Sequence, residues 1–192
     1  MQPWMDLILA VDEAWGIGKD NGLPWPKLPA DLKHFKAVSA AAPEGKRNAV
    51  VMGRRTWESK EVAGRALPRR TNVVLTRRPF EAPEGVLVVS SPAGEGGAAG
   101  SSILDRALER VGQLPDLGEV FIIGGAEIYL LALAHPRCRA IYLTRIAGTF
   151  GCDTFVPNLD ERCQLDPSWP AANHTENGVS YRIEKLLLRR PS

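Results

Sequence analysis

The sequence predicts an α/β domain built around a largely parallel sheet. Short runs rich in Val, Ile and Leu recur along the chain, and most are apolar without alternation, as strands buried on both faces must be. Helical patterns fall between these runs, and that alternation implies parallel strands joined by right-handed crossovers. The 192 residues fit one domain, a size that buries roughly two-thirds of the unfolded surface.

The elements follow in order. Residues 7–11 (LILAV) open the chain as a strand, and residues 29–38 carry a short helical pattern in which Asp31 sits beside apolar Leu32 and Phe35. Strands are expected at 49–52, 73–75, 86–89, 120–123 and 141–144, with helices at 102–114 and 126–134. Residues 91–101 (SPAGEGGAAGS) are small and low in complexity, and they read as a surface loop because the runs on either side belong to one sheet pattern. Near the C-terminus Val179, Tyr181 and Ile183 alternate with polar residues, as in an edge hairpin strand. Neither an internal repeat nor a second domain is visible.

Composition narrows the function. Hydrophobic residues make up 44% and charged residues 24%, the balance of an ordinary globular protein. A net charge of +2 is too small to argue for nucleic acid, but its distribution is uneven. Residues 54–78 carry eight basic side chains against Glu58 and Glu61, a local +6 that leaves −4 elsewhere. Such a field attracts small polyanions. Cys138, Cys152 and Cys163 are odd in number and form no C-x-x-C pair, which points to a reducing compartment. The N-terminus lacks a basic region and a long apolar run, so a cytoplasmic protein without membrane attachment is expected. His135 and Cys138 are spaced like two metal ligands, but no second pair accompanies them, and no metal is expected.

The densest signal is residues 15–26 (WGIGKDNGLPWP), followed by Asp31. Three glycines, two prolines and two tryptophans describe a loop that bends sharply yet covers an apolar ligand. A carboxylate facing an apolar pocket under such a loop suits a flat, nitrogen-rich ring that presents two donors. Met52-Gly53-Arg54-Arg55-Thr56-Trp57 places two arginines where a buried strand enters a short helix, a setting that favours anions. Ile122-Ile123-Gly124-Gly125-Ala126-Glu127-Ile128-Tyr129 is a second such junction, whose glycines permit close backbone approach. Thr76-Arg77-Arg78 follows another strand and offers side chains for a further phosphate. No G-x-G-x-x-G follows the first strand, which argues against an ordinary Rossmann site. On spacing alone the plainer readings stand beside these. Asp31 could cap its helix, the arginines could be solvated, Thr144 could be a satisfied hydroxyl, and Trp15, Trp25 and Trp57 could simply pack.

Taken in order, Ile8-Leu9-Ala10-Val11, G-I-G-K…L-P-W, the acid with Phe35, M-G-R-R-T-W, Asn72-Val73-Val74-Leu75-Thr76-Arg77, I-I-G-G-A-E-I-Y, Tyr142-Leu143-Thr144-Arg145-Ile146 and Asp153-Thr154-Phe155-Val156-Pro157 resemble dihydrofolate reductase over residues 5–188. The resemblance implies a single domain with a central eight-stranded, mostly parallel sheet, an antiparallel C-terminal strand and about four flanking helices. It implies NADPH as cofactor, reduction of dihydrofolate to tetrahydrofolate, sensitivity to antifolates, and a monomer. Asp31 then matches the pterin-binding acid, Thr144 its supporting hydroxyl, and Trp25 joins them at the catalytic centre. Ile8, Leu9, Leu32, Phe35 and Ile123 match the apolar walls, and Arg70 matches the partner of the substrate's glutamate carboxylate. Ala10, Ile17 and Gly18 match contacts near the nicotinamide. Arg54, Arg55, Thr56, Leu75, Thr76, Arg77, Gly125, Ala126, Glu127, Ile128 and Tyr129 match the remaining cofactor contacts. Gly124-Gly125 matches a pair joined by a cis peptide. A reductase of related fold acting on a pyrimidine and a non-catalytic NADPH-binding protein are the alternatives. The first sits poorly with a carboxylate beside L-P-W, the second with Asp31, Thr144 and Arg70 all present. No thymidylate synthase extension is expected, since the chain ends at Ser192.

Two departures stand out. Ser59-Lys60-Glu61 replaces a serine followed by an apolar residue and proline, and Ala66 replaces a proline after Arg65. Lys60 is expected near the mouth of the site, where it would attract the polyglutamate tail of a polyglutamylated substrate. Lys60→Ala is then expected to raise KM for polyglutamylated over monoglutamylated dihydrofolate; an unchanged ratio removes the role.

Overall fold

The computed structural model describes residues 2–78, 80–90 and 102–189. The loop expected at 91–101 lies outside the described residues. The chain runs β1 (Met5–Val11), β2 (Gly16–Gly18), α1 (Pro29–Ala40), β3 (Arg47–Gly53), α2 (Arg54–Trp57), β4 (Arg70–Thr76), β5 (Val86–Ser90), α3 (Ile103–Gly112), β6 (Leu117–Ile122), α4 (Ala126–Ala134), β7 (Cys138–Ile146), β8 (Thr154–Phe155), β9 (Cys163–Leu165), β10 (Ala172–Glu176) and β11 (Val179–Leu188).

Eight strands form the main sheet in the order β10-β11-β7-β1-β6-β3-β4-β5, and short β9 pairs with β11 off this path. From β7 to β5 every pairing is parallel, whereas β11 runs antiparallel to both β7 and β10. The α/β class, the mostly parallel eight-stranded sheet, the antiparallel last strand and four helices are therefore as expected. One detail differs. β11 is not an edge strand, because β10 covers its outer side, with left-handed Asn177 and Gly178 making the turn between them. β10 reads ANHTE and has no apolar alternation to announce it; it is held by the backbone ladder.

Each parallel strand sends alternate residues to opposite faces. Met5, Leu7, Leu9, Val51, Val73 and Ile122 pack under α3 and α4. Ile8, Val50, Met52, Val74 and Phe121 pack with Trp57 and with Phe35 and Val38 of α1 on the other side. Helices on both faces explain why these strands carry no polar face. α3 starts with a capping box in which Ser102 and Asp105 satisfy each other's backbone N–H groups. α1 starts differently: Pro29 occupies its first turn, and the Glu176 carboxylate of β10 accepts the Ala30 N–H at 3.0 Å.

The register places the site. β1 and β6 pair only from Met5↔Val120 to Leu7↔Ile122, after which β1 stays with β7 through Val11↔Arg145. β6 meanwhile stays with β3, since Ile123 N–H donates to Val51 O at 2.9 Å and Gly53 N–H to Gly124 O at 2.8 Å. The sheet therefore splits beyond Leu7 and Ile122, at the carboxyl ends of the strands. The Ile8 carbonyl loses its neighbour there and instead accepts the Tyr129 hydroxyl of α4 at 2.7 Å. A buried carbonyl left bare would cost about 1–3 kcal/mol.

Candidate active site

The split opens into a cleft of about 1660 Å³ that runs from α1, past the ends of β1, β3, β4 and β6, to α4. At one end Asp31, in the first turn of α1, meets Thr144 of β7, whose hydroxyl donates to Oδ1 at 2.6 Å. Asp31 is only 9% exposed. Burial raises its pKa above the ordinary 3.8; the Thr144 hydroxyl and nearby His34 pull it back, Glu176 adds to the rise, and His174 opposes it. Ile8, Leu9, Leu32, Phe35 and Ile123 line the walls around it.

Arg70 stands further along the same wall and is 6% exposed. Its Nη1 donates to Ser39 Oγ at 2.6 Å, its Nε to the Pro68 carbonyl at 3.1 Å, and its guanidinium lies 5.8 Å from the Phe35 ring centre. Among the described residues no carboxylate pairs with it. Burial, then the charge of Arg69, lowers its pKa. A buried guanidinium without an acid has unused donors in a planar fork, a geometry suited to a ligand carboxylate.

The other end of the cleft is basic. Gly53, Arg54, Arg55, Thr56, Leu75, Thr76, Arg77 and Arg78 line it opposite Gly125, Ala126, Glu127, Ile128 and Tyr129. α2 is a single turn, so anion attraction here rests on arginine side chains more than on a helix dipole. Arg54 pairs with Glu58 at 2.7 Å, and Arg77 donates to both Glu127 oxygens at 3.0 Å. The Gly124–Gly125 peptide is cis, and Gly124 has φ of +126°. A Cβ there would come within 3.1 Å of Thr56 Oγ1, which explains the need for glycine where the two junctions meet. Ala10 of β1 also lines the cleft, as do Ile17 and Gly18 of the 15–25 loop itself.

The structure thus gathers every sequence-derived site residue except Trp25. Trp25 does not line the cleft; it is buried with Leu28, Ile146, Val179, Tyr181 and Ile183, edge-on to Phe150 at 5.9 Å, in a cluster that Ala10 of the cleft wall packs against. An aromatic loop residue does not reveal which side it faces, and this one anchors the loop's exit. Lys60 is exposed and lies against the loop. His135 uses both ring nitrogens, one beside Asp105 and one accepting the Arg137 N–H, each at 3.0 Å.

Two further residues stand at the site without a sequence motif of their own to mark that role. Ser39 orients Arg70 across 31 residues of sequence, and nothing local marks it. His34 lines the cleft with its Nε2 buried and unpartnered, its ring near those of Tyr142 and Trp169. Its spacing, one helical turn after Asp31, was the available signal.

The cleft thus holds a buried acid with its hydroxyl, a guanidinium with no carboxylate partner among the described residues, and arginines around two glycine junctions. The sequence matches the dihydrofolate reductase family over residues 4–187. The chain belongs to the dihydrofolate reductase family. It is 34% identical to dihydrofolate reductase of Rattus norvegicus, with 94% of this chain and 95% of that protein aligned. It is 38% identical to the bifunctional dihydrofolate reductase-thymidylate synthase of Glycine max, where all of this chain covers only 35% of the relative, about a third of its length. Schistosoma mansoni dihydrofolate reductase superposes with a TM-score of 0.79 at 34% identity, covering 98% of this chain and 100% of that one. The Enterococcus faecalis enzyme, solved with NADP(H) and RAB-propyl, gives 0.73 at 30% identity, with 99% of each chain covered.

Because the folded protein raises the Asp31 pKa, ionising Asp31 costs more folded than unfolded. Its stabilising contribution is complete below 3.8 and is lost as pH rises through the folded value. Asp31→Asn, which keeps an acceptor for Thr144, should therefore unfold at a higher temperature than wild type at neutral pH, with the gap closing in acid. Ligand-free thermal unfolding across pH checks this; a variant no more stable at neutral pH contradicts it.

Proposed function

We propose that the chain reduces 7,8-dihydrofolate to 5,6,7,8-tetrahydrofolate with NADPH, as a monomeric cytoplasmic enzyme whose residues 1–192 form a single domain with its core at about 5–188. The observation that carries this reading is the buried Asp31–Thr144 pair sharing one cleft with an arginine-rich far end and with Arg70, which no carboxylate among the described residues pairs with. The names of the relatives and the NADP(H) in the Enterococcus faecalis structure support the substrate and the cofactor.

When bound, NADPH supplies the hydride for pterin C6. Its fit is supported by the Gly124–Gly125 turn, which lines the cleft, and by the basic side chains of Arg54, Arg55 and Arg77 beside Thr56. The Arg77–Glu127 pair is exposed on both sides, so it is worth little and a phosphate can take Glu127's place. Leu75, Thr76 and residues 125–129 frame the remainder, while Ala10, Ile17 and Gly18 orient the reacting end.

Thr144 occupies one side of the Asp31 carboxylate and turns the rest toward the cleft. Asp31 there accepts from ring N3 and the 2-amino group, which holds the ring flat between Ile8, Leu9, Leu32, Phe35 and Ile123. Those walls exclude water, and catalysis rests chiefly on alignment. Asp31 grips the far edge of the ring, so water delivers the N5 proton. Arg70 takes the tail carboxylate with both arms of its fork; a polyglutamylated tail continues outward from it. Antifolates that keep the two ring donors occupy the same carboxylate.

Adding dihydrofolate to the protein with NADPH is expected to bleach the reduced-nicotinamide absorbance; a mixture that stays constant overturns the activity. Arg70→Ala should raise KM for dihydrofolate about 30-fold or more, as losing one partner of a buried charge pair does, with NADPH affinity unchanged. An unaltered KM removes Arg70 from the substrate site.

A further inference from the structure

The 15–25 loop crosses the rim of the cleft between two carboxylates. Its tip is a two-residue turn: Lys19 and Gly22 exchange backbone hydrogen bonds of 2.9 and 3.0 Å, and Asp20 and Asn21 are left-handed, at φ +49° and +55°. On one side Asp153 Oδ2 accepts the Asp20 N–H at 2.8 Å. On the other, Glu61 Oε1 accepts the Leu23 N–H at 2.9 Å. Lys60, beside Glu61, donates its own N–H to Asn21 O at 3.2 Å. Its Cδ lies 2.9 Å from where a Gly22 Cβ would stand, so the lysine stem packs on the glycine. Two successive residues of the α2–β4 connection thus hold three successive residues of the loop. Asn21, Gly22, Leu23 and Glu61 all line the cleft, so these contacts bridge its mouth.

We infer that Glu61 is a positioning residue that latches the loop shut across the cleft and sets the rate at which bound ligand leaves. Of the three contacts it is the one made by a polar side chain; the others are a backbone bond and aliphatic packing. A carboxylate acceptor makes a stronger bond than a neutral one, but Glu61 and Leu23 are exposed, so the latch is weak enough to open in each cycle. Lys60-Glu61, the dipeptide that departs from the family pattern, thereby acquires a role. The identity of the departing ligand rests on the reductase reading; the latch itself does not.

Trypsin cleavage after Lys19, followed by mass spectrometry, reads loop opening without reference to activity. Glu61→Ala should speed that cleavage about fivefold, the effect of losing one ordinary hydrogen bond, with Glu61→Gln intermediate because its amide oxygen still accepts. Dissociation of bound NADPH, followed by stopped-flow competition, should quicken by a similar factor while the thermal midpoint stays near wild type. Unchanged cleavage at Lys19 in Glu61→Ala overturns the latch. Faster cleavage in a protein that fails to oxidise NADPH with dihydrofolate keeps the latch and overturns the reductase reading.

Discussion

The parting of β1 from β6 beyond Leu7 and Ile122 is the constraint on which the site depends. A parallel sheet that stayed closed would bury Ile8, Leu9, Ala10 and Ile123 against one another and leave no room for a ligand. Splitting it strands backbone groups, and the Tyr129 hydroxyl on the Ile8 carbonyl is what makes the opening tolerable. The split lies where the strand order reverses around β1, outside the carboxyl ends of the strands, where open α/β sheets bind ligands.

The two ends of the cleft are built by opposite strategies. At the acid end, charge is buried and Thr144 offsets part of the cost by hydrogen-bonding Asp31, while Glu176 caps the α1 N-terminus and accepts the Tyr181 hydroxyl. The β10–β11 hairpin thereby fixes the helix that carries the acid, and Asn177 ties it again to the Lys27 carbonyl at 2.6 Å. At the basic end, charge remains exposed and its pairs are exchangeable. Under the proposed function the desolvated acid would read a ring, whereas the exposed arginines would accept phosphates.

What the sequence disclosed follows from the range of the forces involved. The doubly buried strands were legible as unbroken apolar runs, and both glycine junctions were legible because close backbone approach demands glycine locally. Placement of Asp31, Thr144, Arg70 and the arginines in one cleft came from the resemblance and agrees with the geometry. Contacts between distant segments left no trace: Glu176 reaches α1 across 146 residues, Ser39 meets Arg70 across 31, and Glu61 meets Leu23 across 38. β10 escaped notice because its backbone does the pairing. The resemblance places Trp25 at the catalytic centre, whereas its ring packs in the cluster with Val179, Tyr181 and Ile183 of β11.

The account stands on Asp31 as the group that orients the reduced ring. The direct test is the pH dependence of single-turnover hydride transfer from NADPH to dihydrofolate, with Asp31→Asn alongside. Wild type should transfer hydride in step with the ionisation of a carboxyl whose pKa lies above 3.8, and the variant should lose both the rate and that dependence while binding NADPH as before. A variant that retains the wild-type rate, or loses NADPH binding together with turnover, would contradict it.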